Sequence, residues 1–255
     1  MKIDLPKGHN QEIVTVYGDS ALPEVIEAPQ FQNWIRSFDH MHMDIRSILI
    51  QSADIFPTPQ GKKVIFVKAE AHVFDRESGK QIPGVVFMRG NAVCIFLMLE
   101  CIETRQKFIA LIKQARVPLG QHNFLELPAG CEDKGDGITG RAIAELEEET
   151  GVKITKEDLQ FLGEWAPSAG GCDEHLFSFF VRKEIRQKDL QDILKVTHGV
   201  EKEGEHIAVR LHTPHELMSF LSRKDTLHDG KILASLAYLL VRENKDETMR
   251  LLENL

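Results

Sequence analysis

The chain has 255 residues and a formal net charge of −8, from 31 basic and 39 acidic side chains. That length suits one large domain, or one domain with an extension, around a sizeable core, while the acidic balance leaves no electrostatic footprint for a nucleic-acid backbone or an anionic membrane surface. No apolar run approaches a bilayer span, and Asp4 and Pro6 interrupt residues 1–10 where a signal peptide needs an apolar stretch. Polymeric nucleic acid and membranes are therefore not expected as partners, and a cytoplasmic location is.

In chain order, residues 1–28 are broken up by prolines and show no periodic element. Phe31, Trp34, Ile35, Phe38 and Met41 follow helical spacing, which predicts an amphipathic helix over 31–41 and then a short strand over 48–55. His40 and His42, two apart, share no helical face and are read as ordinary polar positions. Strand texture follows at 64–74, 82–88, 92–100 and 108–113, with turn-like residues at 76–80 and 89–91. A helix is expected from about 139 to 150. Beyond it lie apolar runs at 159–165 and 176–181, a polar helix over 185–194, a strand over 206–212 and helices over 214–221 and 231–241. Strands first, helices interspersed later and no internal repeat predict an α+β class with a mixed sheet. Cys94, Cys101, Cys131 and Cys172 form no C-x-x-C pair and are expected to be free, buried thiols suited to a reducing cytosol.

The central helix concentrates negative charge, with Glu145, Glu147, Glu148 and Glu149 in little more than one turn. Glu145 and Glu149 are four apart and Glu145 and Glu148 three apart, so three carboxylates project from one face. Like charges at that spacing destabilise a helix by roughly 0.2–0.5 kcal/mol per pair, and anions near its C-terminus oppose the macrodipole. A cation reverses the sign. Carboxylate oxygens are hard ligands suited to Mg²⁺ or Mn²⁺, so the cluster predicts a phosphate-directed metal site; the competing reading is a solvated acidic face. The surroundings favour the metal: Gly151 supplies a C-cap, Ala142, Ile143 and Leu146 a buried stripe, and Pro128-Ala129-Gly130 a loop able to approach the same face closely.

Gly130, Asp136, Ala144, Glu145, Leu146, Glu148, Glu149, Gly151 and Val152 follow G-x5-D-x7-A-E-L-x-E-E-x-G-V. This resembles the Nudix box, G-x5-E-x7-R-E-U-x-E-E-x-G-U with U aliphatic. Two positions depart from the pattern: Asp136 replaces a glutamate, and Ala144 replaces an arginine that usually orients the acidic cluster. Arg141, three residues earlier on the same face, is a candidate to take over part of that role. Three further segments, within roughly 48–241, resemble the ADP-sugar and ADP-ribose pyrophosphatase branch, closest to the plant-type ADP-sugar diphosphatases. Gln114, Arg116, Pro118 and Gly120, followed by Glu126-Leu-Pro-Ala-Gly130, match Q-x-R-x-P-x-G and E-x-P-A-G. Residues 168–174, SAGGCDE, are similar to S-P-G-G-x-x-E, and residues 84–94 are similar to the strand-turn-strand before the core sheet.

The resemblance implies an α/β/α sandwich with a mixed sheet. It also implies metal-dependent hydrolysis of the diphosphate bridge in a nucleoside diphosphate sugar, ADP-ribose or ADP-glucose, to AMP and a sugar phosphate. On it, Glu145, Glu149 and the Ala129 carbonyl hold Mg²⁺, or Mn²⁺, and Glu148 completes the metal cluster or polarises water. Glu174 is the general base, Arg116 grips phosphate, and Glu126 contacts substrate. The branch is commonly homodimeric, which assigns residues 1–60 to an extension with a dimerising helix and strand, 61–245 to the hydrolase domain and 246–255 to a charged tail. Trp34 is read as core rather than as an adenine stack. Two alternatives stay open: a Nudix-fold module that binds such a ligand without turnover, which Ala144 favours, and a hydrolase for dinucleotide polyphosphates or coenzyme A.

Overall fold

The computed structural model describes residues 2–4, 13–20, 22–58, 61–132, 137–199 and 206–243. It divides into two compact units, 1–91 with 166–175, and 92–165 with 176–255. Asp136 and the tail 246–255 lie outside the described residues.

The first unit holds strands β1 (Lys2–Asp4), β2 (Ile13–Tyr17), β3 (Met43–Thr58), β4 (Gly61–Asp75), β5 (Gln81–Ile82) and β6 (Val85–Met88), with helices α1 (Pro23–Ile26) and α2 (Pro29–Ser37). Among the described residues the sheet order is β1-β2-β3-β4-β5, with β6 also on β4. Among the described residues of this sheet, only β2 and β3 run parallel. Phe31 and Ile35 of α2 join Ile45, Ile48, Ile50, Val67, Ala69 and Ala71 in its core, and Trp34 packs partly buried against that cluster, edge-on to Phe31 and Phe38.

Several expectations shift here. The helix stops at Ser37, short of Met41, because Phe38 is extended and Asp39 accepts the Met41 N–H in a local turn that competes with helix. His40, read as an ordinary polar position, is buried, with its Nε2 3.4 Å from Ile35 O. The short strand expected at 48–55 is the middle of a sixteen-residue strand, broken by register shifts and mostly unburied past Ile50, so its ends carry little apolar signal. The run 82–88 splits into β5 and β6 at Pro83, which has no N–H for a ladder. Residues 1–28, read as aperiodic, contribute β1, β2 and α1.

The second unit holds β7 (Ala92–Cys101), β8 (Lys107–Arg116), β9 (Gln121–Glu126), β10 (Ala129–Cys131), β11 (Gln160–Trp165), β12 (Leu176–Ile185) and β13 (Ala208–His212). Its helices are α3 (Gly137–Thr150), α4 (Gln187–Lys195), α5 (Pro214–Leu221) and α6 (Gly230–Glu243). Among the described residues the sheet order is β11-β12-β7-β8-β13, with β9 on β8 and β10 on β7. β12 and β7 run parallel while the other pairs are antiparallel, so the sheet is mixed. Strand alternation sorts its two faces. Val93, Ile95, Leu97, Phe179 and Val181 face Ala142 and Leu146 of α3 and Leu190 of α4. Phe96, Ile109, Leu111 and Phe180 face Leu217 of α5 and Ile232 of α6. Helices thus cover both faces, giving the expected α/β/α sandwich.

Among the described residues no helix is long and apolar enough to cross a membrane. All four cysteines are free, but Cys131 is exposed and Cys172 half-buried, against the expectation that each is buried.

Candidate active site

α3 sorts its four glutamates by face. Ala142 and Leu146 anchor the helix to the sheet, and the same side carries Glu145 and Glu149, only 5% and 3% exposed. Glu147 and Glu148 are exposed, with Glu147 paired to Lys153 at 3.2 Å. β10 lies against the buried pair, fixed by its pairing of Ala129 with Cys94 and Gly130 with Val93. The Ala129 N–H donates to Glu149 Oε2 at 2.8 Å, and a methyl group on Gly130 would overlap the Glu145 carboxylate. The glycine is what admits that side chain. Gly130→Ala is accordingly expected to cost about 1–3 kcal/mol of stability, as overpacking does, and to impair activity; thermal melting alongside an activity assay checks this, and an unchanged variant would mean that the carboxylate has another seat. The helix ends as expected at Gly151, with φ of +71° and its N–H bonded to Glu147 O at 2.8 Å.

Arg141, the candidate for the role of the missing arginine at 144, lies against the glutamates of α3. Its guanidinium pairs with Glu145 one turn along, and its Nη1 lies 3.8 Å from Glu148 Oε2. Among the described residues no group of three or more His, Cys, Asp or Glu side chains is gathered as a ligand set; Glu145 and Glu149 are instead held separately, by Arg141 and by the Ala129 N–H. The donor types, carboxylates beside a backbone turn, fit a hard divalent cation, and the guanidinium already places positive charge at Glu145.

A second cluster lies at the β8–β9 turn. Val117–Leu119 form a 3-10 turn closed by Gly120, whose φ is +63° and whose N–H bonds Val117 O at 2.9 Å. This returns the chain so that Arg116 and Glu126 stand at opposite ends of the β9 pairing. Arg116 Nε donates to Glu126 Oε1 at 2.7 Å, and Lys231 Nζ to Glu126 Oε2 at 2.8 Å. Lys231 also lies 3.3 Å from Asp229, whose other oxygen accepts the Leu127 N–H at 3.0 Å. Burial alone pushes the Glu126 carboxyl up, but Lys231 and Arg116 outweigh it and hold the group below the usual range. For Lys231 burial pushes down, and Asp229 and Glu126 together raise it. Sequence reading missed Lys231 and Asp229. Their one signal was a lone charge, Lys231, in the otherwise uncharged stretch that opens α6.

Glu174 belongs to the first unit. Its loop is seated by a bridge between Phe87 and Cys172 and by the Phe87 N–H donating to Gly171 O at 2.8 Å. Asp173 Oδ1 accepts the N–H groups of Arg89 at 2.8 Å and Gly90 at 3.3 Å; burial still keeps its carboxyl above the usual range. Glu174 is itself buried, with Arg89 Nε at 3.4 Å from its Oε1. The structure therefore sets Glu149 on the Ala129 N–H, places Arg141 against Glu145 and near the exposed Glu148, and joins Arg116 to Glu126, all in the second unit, while Glu174 stands in the first beside Arg89.

The NUDIX domain profile matches residues 88–236. Along 99% of its length the chain is similar to Nudix hydrolase 14, chloroplastic, of Arabidopsis thaliana, with 33% identity over 276 residues and 85% of that protein covered. The chain belongs to the Nudix family. This Nudix chain is also 29% identical over 140 residues to the methanol dehydrogenase activator of Bacillus methanolicus, covering 55% of the chain and 69% of that protein. It is 31% identical over 97 residues to the ADP-ribose pyrophosphatase of Bacillus subtilis strain 168, covering 35% and 51% respectively. The Nudix match encloses every site residue named above, Arg89 and Lys231 included.

Proposed function

We propose that this chain is a metal-dependent hydrolase that cleaves the diphosphate bridge of a nucleoside diphosphate sugar, ADP-ribose or ADP-glucose, to AMP and a sugar phosphate. The observation that carries this reading is the burial of Glu145 and Glu149 against Ala129 and Gly130. A solvated acidic face gains nothing from desolvating two carboxylates. The Bacillus subtilis relative, named for ADP-ribose, supports the ADP-linked substrate.

Glu145, Glu149 and the Ala129 carbonyl are the residues to hold Mg²⁺, or Mn²⁺, with Glu148 completing the cluster or polarising water. When bound, the ion supplies positive charge that draws electron density from the diphosphate. Arg116 grips the phosphate oxygens; Glu126, read from the sequence as a substrate contact, is buried with its oxygens on Arg116 and Lys231 and is proposed instead to fix Arg116. Water bonds to one phosphorus, the bridging P–O bond breaks with its electron pair leaving on the departing phosphate, and Glu174 takes the water's proton. Residues 1–60 are read as the extension that supports a homodimer; the four free thiols suit a reducing compartment, and the chloroplastic relative does not fit the expected cytosol.

The test is a panel of ADP-ribose, ADP-glucose, a dinucleotide polyphosphate and coenzyme A, with and without Mg²⁺, in ¹⁸O-labelled water, with products identified by mass. AMP is expected from the ADP-sugars only when Mg²⁺ is present. Tight binding of ADP-ribose without AMP release would replace the enzyme by a ligand-binding module.

A further inference from the structure

We propose that Lys231 is a positioning residue for phosphate recognition, holding Glu126 from the side opposite Arg116 so that the guanidinium is presented to the substrate. This rests on the reading of Arg116 as the phosphate contact. The side chains Arg116, Glu126, Lys231 and Asp229 form a series of alternating charge in which Glu126 is the most buried and Arg116 the most exposed. Arg116 is 38% exposed and Lys231 15%, whereas Asp229 and Glu126 are 7% and 3%. Arg116 is thus the member of the series with substantial solvent exposure.

The bonds divide the work. Glu126 gives one oxygen to Arg116 and the other to Lys231, each within 2.8 Å. Asp229 in turn holds the start of α6: one oxygen accepts the Leu127 N–H beside Glu126, and the other accepts the Lys231 backbone N–H at 3.0 Å and lies 3.3 Å from the Lys231 ammonium. The start of α6 is thereby tied to the end of β9. Buried alternating charges are costly to desolvate, and apolar residues of similar volume often replace them at no loss of stability, so stability alone does not account for a lysine here. Its effect is on Arg116. With both oxygens of Glu126 satisfied, the carboxylate is a fixed post that anchors the guanidinium through Nε; without Lys231, a buried carboxylate draws the guanidinium inward to answer both oxygens.

The experiment compares wild type with Lys231→Met, Glu126→Gln, the double variant and Arg116→Gln. Dissociation constants are measured for inorganic pyrophosphate and ADP-ribose without metal, kcat with Mg²⁺, and melting temperature throughout. Lys231→Met is expected to weaken binding of both ligands about tenfold and to leave kcat within about threefold, while in the Glu126→Gln background the same change costs less than about twofold, since the residue it acts through has gone. If Lys231→Met does not fold, Lys231→Gln, which keeps a donor but loses the charge, is expected to weaken binding about fivefold. Unchanged binding, or equal losses in the two backgrounds, overturns the proposal. Should Arg116→Gln bind normally, the phosphate reading of Arg116 fails and the proposal fails with it. Should Arg116→Gln weaken binding while Lys231→Met does not, only the role of Lys231 falls. Failure to cleave ADP-ribose would remove the substrate assignment and leave the pyrophosphate comparison standing as the test of Lys231.

Discussion

Glu174→Gln is expected to lower kcat on an ADP-sugar by roughly 10²–10⁴-fold, the span typical of a positioned acid–base group, while the substrate dissociation constant and the Mg²⁺ requirement stay within about threefold. A general base is needed for proton transfer in the transition state and contributes little to holding substrate beforehand. The structure gives this carboxylate the surroundings of a positioned group: it is buried, it pairs with Arg89, and its loop is seated by Asp173 on the N–H groups of Arg89 and Gly90. Glutamine keeps the size and the acceptor oxygen and removes the basicity. Near-normal turnover would move the base to the α3 cluster. A collapse of metal affinity would make Glu174 a ligand.

Glu145→Gln and Glu149→Gln are each expected to raise the Mg²⁺ concentration for half-maximal activity by at least about 10–100-fold, the loss seen when even an indirect partner of a metal is removed. The stability effect differs from what helix spacing alone suggests. Spacing predicts that removing one of several repelling carboxylates stabilises α3, but Glu145 already pairs with Arg141 and Glu149 already accepts the Ala129 N–H. Neutralising either is therefore expected to leave the metal-free melting temperature unchanged or lower. Mg²⁺ should raise melting of the wild type by mass action and have a much smaller effect on the variants, a readout independent of turnover. Activity that survives both changes with an unshifted metal requirement would defeat the metal-site reading.

These residues differ in how far the sequence revealed them. That Glu145 and Glu149 share a face was legible in a spacing of four, but Glu148, expected on the same face, is exposed beside Glu147 while the other two are buried. Gly130 was legible as a close approach, and the structure adds what approaches it. Arg116 and Glu126 were singled out by pattern, but the bond from Lys231 to Glu126 spans 105 residues, and no local periodicity encodes contacts of that range. Arg89 beside Glu174 is hidden for the same reason. In the fold, β7 and β12 stood out as continuous apolar runs buried on both faces, whereas β1, β2, β9 and β10 are short, and pairing rather than composition defines them. α2 was found but drawn too long, since Asp39 ends it by a side-chain bond that apolar spacing does not register.

The chain passes between its two units three times, after residues 91, 165 and 175. Synthesis proceeds from the N-terminus, so residues 1–91 leave the ribosome long before the segment 166–175 that completes their unit. Until then Phe87, Arg89 and Gly90 have nothing to receive, and strands β7 to β11 must all be made first. A nascent chain stalled before residue 175 thus carries the carboxylate helix without a seated Glu174. By the same connectivity, one protease cut after residue 91 cannot release the first unit whole, because its last ten residues remain threaded between β11 and β12.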